Sequence, residues 1–363
     1  MPISKAIEWL LLTLFILLVN QNVWANKSDV RFSGFTRAAG AVVLNSAPDY
    51  LGRIDRDGDA GETQFGLNVH VNLGQGYQVA GQIWGAGVEG EHLDGNGPPV
   101  DRFHIALDWA FVSKQFSDDF SMKAGKIKYP NLLVSEYVDI GLAYPWVRPP
   151  EELYSFEAEG PYISMESFEG LSSHYVRQFG DSELNLMVYG GQSIVEDGHL
   201  EQMIGLKAVW SADNYSLLAG FNSHLMDTVG LERGAYRGEI ASILNFGFTM
   251  DAANILIYSE GVTGNVGDVS IQAYYATLGY QFTHLLPHVT YADVGNTEGW
   301  GQSSIAAGLK YQLLSAVSLK TEWKYITPRR VEDENESGGF FARGLDGGVD
   351  SASIASVAID VVF

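Results

Sequence analysis

Apolar and polar residues alternate with a period of two along most of this chain. In "ETQFGLNVHVNL", Phe65, Leu67, Val69, Val71 and Leu73 share one face, and Gln64, Asn68, His70 and Asn72 share the other. "SSIAAGLKYQL" sets Ile305, Ala307, Leu309, Tyr311 and Leu313 against Ser304, Gly308, Lys310 and Gln312. "VSLKTEWKY" sets Val317, Leu319, Thr321, Trp323 and Tyr325 against Ser318, Lys320, Glu322 and Lys324. Segments of about 9–11 residues with one apolar and one polar face predict β-strands, in a membrane barrel or in a soluble sandwich.

Connection lengths separate the two. Short turns are expected near 74–76, 117–119, 180–182, 213–214, 251–253, 283–284 and 315–316. Between them fall connections, often longer, at 44–61, 87–101, 129–170, 191–199, 225–236, 263–268, 294–301 and 327–351. Short turns on one side and longer loops on the other characterise transmembrane antiparallel β-barrels, and a sandwich has no reason to keep that parity. The count gives about sixteen strands with both termini on the periplasmic side. The strand-like "EGPYISMESF" (159–168) would raise the count toward eighteen, but it would also reverse every later loop. It is therefore assigned to the 129–170 loop.

The N-terminus fits export. Lys5 precedes the apolar run Trp9–Val19, and "NVWA" ends on the small residue Ala25. This arrangement predicts a secretory signal peptide over 1–25 and one barrel domain over 26–363. Beyond it no stretch is apolar for long enough to form a transmembrane helix.

The last residues, "IASVAIDVVF", place Val357, Ile359, Val361 and Phe363 on one face, with Ser356, Ala358 and Asp360 on the other. A terminal strand of this kind would turn the first set to lipid and pair with the first strand, near "DVRFSGFTRAA", leaving no edge. Here the chain resembles the Gram-negative outer-membrane porins, whose last strand ends in an aromatic residue, commonly Phe. The resemblance spans the mature chain in strand pattern, and its sharp local motif is this end. Val361 departs from it, since many such proteins carry Tyr there. The resemblance implies recognition of the terminal aromatic by the barrel-assembly machinery, a homotrimer in a lipopolysaccharide-containing outer membrane, and a third external loop folded into the barrel.

That loop corresponds to 129–170. It carries Glu136, Asp139, Glu151, Glu152, Glu157 and Glu159, with Arg148 among few cations. Pro145, Pro149 and Pro150 stiffen it. Arg31 and Arg37 alternate inward on the first strand if Phe32 and Gly34 face lipid, and Lys123, Lys310, Lys320 and Lys324 are further inward candidates. An acidic loop opposite a basic wall would set a transverse field across a narrowed pore. Trp109, Phe111, Trp210, Tyr280, Phe282, Trp323 and Tyr325 are read as interfacial girdles, because most are in phase with the apolar faces.

Composition narrows the rest. Lys and Arg number 22 against 44 Asp and Glu, a net charge of −22, which argues against a nucleic-acid partner. It leans weakly toward cations or neutral solutes as cargo. The chain has no Cys, and its eight His form no metal motif. "RIDRDGDAGE" clusters Asp55, Asp57, Asp59 and Glu62 without EF-hand spacing. No cofactor, metal site or catalytic signature is expected. The sequence thus points to a passive diffusion channel for small hydrophilic solutes. Its rivals are a porin specific for sugars or organic acids, a plugged adhesive or structural barrel, and a soluble periplasmic β-protein.

Overall fold

The alternating segments become sixteen strands because each can hydrogen-bond its neighbours while sending apolar side chains one way and polar ones the other. We describe them from a computed structural model covering residues 29–45, 50–51, 54–59, 62–88, 102–154, 166–195, 198–228, 238–329, 339–341 and 349–363. The expected signal peptide, 1–25, lies outside these residues. In chain order the strands are β1 (Val30–Val43), β2 (Gln64–Gly74), β3 (Tyr77–Val88), β4 (Arg102–Ser117), β5 (Phe120–Lys128), β6 (Ser167–Phe179), β7 (Ser182–Val195) and β8 (Gly198–Ala212). There follow β9 (Tyr215–Thr228), β10 (Ile240–Ala252), β11 (Ile255–Val266), β12 (Val269–Tyr280), β13 (Leu285–Asn296), β14 (Gly301–Leu314), β15 (Val317–Pro328) and β16 (Ala352–Val362).

Each strand pairs antiparallel with the next, and β1 pairs with β16, so the sheet closes. Sixteen strands, not eighteen, form the wall. Closure matters because an unpaired edge in hydrocarbon would leave every second backbone group unsatisfied. The seam runs from Phe35 opposite Val362 to Val43 opposite Ile354. At its end the Gly34 and Phe363 backbones exchange two hydrogen bonds, of 2.8 and 2.9 Å. The Phe363 ring lies over Gly34, where an added Cβ would come within 2.5 Å of it. Val357, Ile359 and Phe363 point outward and are exposed, whereas Ser356, Ala358 and Asp360 point inward and are buried.

The external connections are less uniform than the parity reading expects. β7 and β8 are joined across 196–197 only, and β11 and β12 across 267–268. The Gly- and Asn-rich "TGNVGD" (263–268) reads as loop, yet Val266 is buried while Thr263 and Asn265 are exposed. Alternation therefore continues to the rim. Likewise β6 begins at Ser167, so the third loop ends before 170.

The outer face is a nearly continuous apolar band, including Ile83, Leu107, Ile204, Leu206, Phe246, Leu278, Val289 and Ile305. Trp210 stacks on Phe179 at 5.6 Å, and Tyr280, Phe282, Trp323 and Tyr325 are exposed on the same face. Aromatics there suit a headgroup interface. Two residues assigned to that girdle do not belong to it: Trp109 and Phe111 point into the barrel. A bulge between Gln82 and Ile83 explains the change, because it adds Asp108 to β4 and shifts the phase of the residues after it.

Candidate functional site

After β5 the chain turns into the barrel and runs across its inner surface from 129 to 154. Two short 3-10 turns (Ser135–Tyr137 and Gly141–Ala143) and one turn of helix, α1 (Glu151–Tyr154), shape it. Pro145, Pro149 and Pro150 restrict the backbone between them, and the Pro150 carbonyl accepts the Leu153 and Tyr154 amides, each at 3.0 Å.

The segment is fastened to the wall along its whole course. At its root Lys128 pairs with Asp139 at 2.8 Å and with Asp108 of β4 at 3.0 Å. Gln64 of β2 donates to the Asp139 carbonyl at 3.1 Å. Asn222 of β9 donates to the Asn131 side chain at 3.0 Å, and Asn245 of β10 donates to the Asn131 carbonyl. The Leu133 amide donates to Glu260 of β11 at 2.6 Å, and that carboxylate also accepts from Tyr154 and Tyr275.

Farther along, Trp146 donates its indole N–H to Thr277 of β12 and Thr290 of β13, at 2.9 and 3.0 Å. Its ring packs edge-on against Tyr275, centroids 5.5 Å apart. Lys310 of β14 donates to the Leu142 carbonyl at 2.6 Å. Lys320 of β15 donates to the carbonyls of Gly141 and Trp146 while pairing with Asp360 of β16 at 3.1 Å. Gly141 sits so close to Asp360 that a Cβ would fall 2.0 Å from its carboxylate, so a side chain there would displace the loop. Arg37 of β1 pairs with Asp360 at 3.6 Å and donates to the Tyr144 hydroxyl at 3.0 Å.

The helix end holds the densest charge. Lys324 of β15 bridges Glu151 and Glu152, the latter at 3.1 Å. Arg148 pairs with Glu62, reaches Glu151 at 3.8 Å, and donates to Ser356 of β16 at 3.1 Å. Gln302 of β14 donates to Glu152 at 2.8 Å. Burial works against a charge on Glu152, but Lys324 and the hydrogen bonds from Ser304 and Gln302 outweigh it and hold that carboxyl below its usual range. Buried ions persist only when paired and hydrogen-bonded in this way.

This architecture has counterparts among solved structures. The anion-selective porin from Comamonas acidovorans superposes with a TM-score of 0.60 at 13% identity, covering 92% of this chain and 99% of that one. Salmonella typhi OmpF in complex with daunomycin gives 0.58 at 13%, covering 92% and 97%. The trimer form of OmpT from Vibrio cholerae gives 0.55 at 13%, covering 92% and 99%. The chain has the porin fold. No protein family and no curated protein matches it by sequence.

Within the porin fold, the residues singled out from the sequence separate into two groups. Asp139, Arg148, Glu151, Glu152 and Arg37 meet in buried ion pairs and hydrogen bonds between loop and wall. The acids nominated to face a basic wall across an open gap therefore touch it instead. Glu136 is different: its side chain is 40% exposed while pairing with Lys207 of β8 at 3.5 Å. Arg31 and Lys123 point inward by strand register, yet among the described residues no loop carboxylate pairs with either. The Lys123 ammonium lies 5.0 Å above the Phe111 ring. Glu157 lies outside the described residues. Val357, Ile359, Val361 and Phe363 occupy the seam strand described above.

Sequence reasoning passed over Asp108, Lys128, Lys207 and Glu260 as anchors. A signal was present for Glu260, a lone carboxylate in the apolar strand "ILIYSEGV". For Lys128 and Asp108 none was, since residue type does not tell which acids the end of β5 meets.

Proposed function

We propose that the chain is an outer-membrane channel through which small hydrophilic solutes and ions diffuse passively, along the part of the lumen bounded by β1–β6. The one-sided seating of the loop carries this reading. Beyond its root at Gln64, Asp108 and Lys128, its hydrogen bonds concentrate on β8–β16 and β1, while the inward side chains His70, Trp109, Phe111, Lys123 and His174 stay half-exposed on the other wall. A rigid, ion-paired loop on one side and a wettable wall on the other make a passage of fixed width.

The local charge argues for anions, against the weak lean that overall acidity suggests. Asp139, Glu151 and Glu152 are neutralised by their partners, whereas Arg31 is exposed and Lys123 half-exposed toward the lumen. The proposal includes a homotrimer, since one structure of the same fold is described in a trimer form. It also includes lipopolysaccharide around the outer rim and assembly through the Phe363 end.

Planar-bilayer recording of the purified protein under a salt gradient tests this. Stable unitary steps with a reversal potential on the anion side are expected. Changing Arg31 and Lys123 together to Gln should lower the anion-to-cation permeability ratio, by roughly twofold for two charges at a lumen wall. Folded protein that inserts without conducting would reject the channel and favour the adhesive or structural barrel. Cation preference in the unaltered protein would reject the charge assignment alone.

A further inference from the structure

Barrel lumens are lined by polar side chains, because they hold water. Trp109 and Phe111 break that rule. Across the sheet Trp109 stands opposite Gln82 and Phe111 opposite Ala80, on the inward face shared with His70, whereas Ile83 and Leu107 take the lipid face. The two rings stack on each other with centroids 5.4 Å apart and planes 22° apart. Their arrangement extends sideways through His70, 6.0 Å from Trp109, and through the Lys123 ammonium over Phe111. Arg31 stands opposite His70 on β1.

Folding alone does not account for this patch. Phe111 touches the buried cluster around Ile127 and Phe168 at one side, but both rings remain half-exposed. An aromatic side chain gains roughly 1.5–3 kcal/mol from full burial, and half-exposure beside water forgoes much of that. Tyr275 and Trp146 show the alternative within the same lumen: they are buried, with their polar atoms bonded to Glu260 and to Thr277 and Thr290. Trp109 and Phe111 instead stay half-exposed toward the passage, with Lys123 on one side of the pair and His70 and Arg31 on the other.

We propose that this patch is a binding track for small carboxylates carrying a planar ring. The ring would pack against the half-exposed Trp109 and Phe111, and the carboxylate would meet Lys123 at one side of the pair or Arg31 and the His70 N–H at the other. Aromatic contact and charge-assisted hydrogen bonds are separately modest, and together they suit a site that must release its cargo. The idea rests on the channel reading only in requiring a lumen that solute can enter. A neutral sugar could pack against the same rings but would leave the two cations without a partner.

Saturation-transfer NMR on the refolded, detergent-solubilised protein, with benzoate as probe and glucose as the neutral comparison, tests the track without requiring conduction. Trp109→Leu with Phe111→Leu keeps apolar bulk while removing both rings, and heat-modifiable migration on gels reports whether the variant folds. Should it not fold, Trp109→Phe and Lys123→Gln serve separately. Transfer to benzoate ring protons is expected in the unaltered protein, falling roughly tenfold in affinity without both rings, a difference of ~1.4 kcal/mol. It should fall several-fold in Lys123→Gln and largely persist in Trp109→Phe. Equal transfer in the unaltered and ringless proteins overturns the proposal, and so does glucose binding more tightly than benzoate. Ring-dependent benzoate binding by a protein that never conducts in bilayers upholds the site and rejects the channel. Conduction without ring-dependent binding does the reverse.

Discussion

Changing Glu151 and Glu152 together to glutamine will alter the unitary conductance and weaken the folded barrel, not simply shift its ion preference. Both carboxylates close on Lys324, and all three side chains are buried. Without them the buried Lys324 ammonium loses both carboxylates it contacts, which costs ~3–5 kcal/mol. The strain falls on the loop, because Lys324 is fixed in β15 by its ladder to β14 and β16. Arg148 keeps Glu62 and Ser356, so the loop should shift at α1 and hold at Gly141 and Trp146. Step size should become heterogeneous, and the temperature at which the barrel loses resistance to SDS should drop. Adding Lys324→Met removes the orphaned charge and should restore much of both, since an apolar replacement of a whole buried ion group is commonly neutral. A double variant with unchanged step size and stability, and only a moved reversal potential, would show that these acids act as free pore charges.

Deleting Phe363 should lower the yield of closed barrel severalfold more than it lowers the stability of barrels once formed. The deletion removes two backbone hydrogen bonds to Gly34, worth about 0.5–1.5 kcal/mol each, and a ring that covers that glycine. The other pairs of the seam, from Phe35–Val362 to Val43–Ile354, remain available. Closure pairs β1 with β16 and so brings together the most distant parts of the chain, and losses at its end act on the rate of closing. Refolding into detergent, followed by heat-modifiable migration against time, measures this. Wild-type closure kinetics in the deletion variant would remove any role for the terminal ring.

The wall was largely readable from sequence, because lipid outside and water or polar protein inside impose a strict period of two. Strands such as Val317–Pro328 obey it from end to end: Trp323 and Tyr325 face out, and Lys320, Glu322 and Lys324 face in. Reading failed where the phase breaks. One added residue at Asp108 turned Trp109 and Phe111 from lipid to lumen, and no local feature of "HIALDWAFV" announces it. The third loop could be located from its length and its prolines, but not its contacts. Whether Glu151 meets Lys324 or water depends on how far the chain crosses the barrel, a three-dimensional matter that residue type leaves undetermined. The same limit applies to the charges: composition counts all 44 acids equally, whereas Asp139, Glu151 and Glu152 are cancelled at contact distance.

The seam has a consequence for the order in which the strands can be written. β16 ends against Gly34, while β1 extends back to Val30 toward the same rim. Four or five extended residues separate the two ends, about 16 Å at the usual rise per strand residue, a span that a short glycine-serine linker covers. A circularly permuted chain could therefore join Phe363 to the start of β1 and open instead at the tight turn Asp213–Asn214, retaining all sixteen strand pairs. In that permutant the Phe363 ring would still lie over Gly34 while the chain ran on through the linker, so the packing of the ring could be measured apart from the position of the residue in the chain.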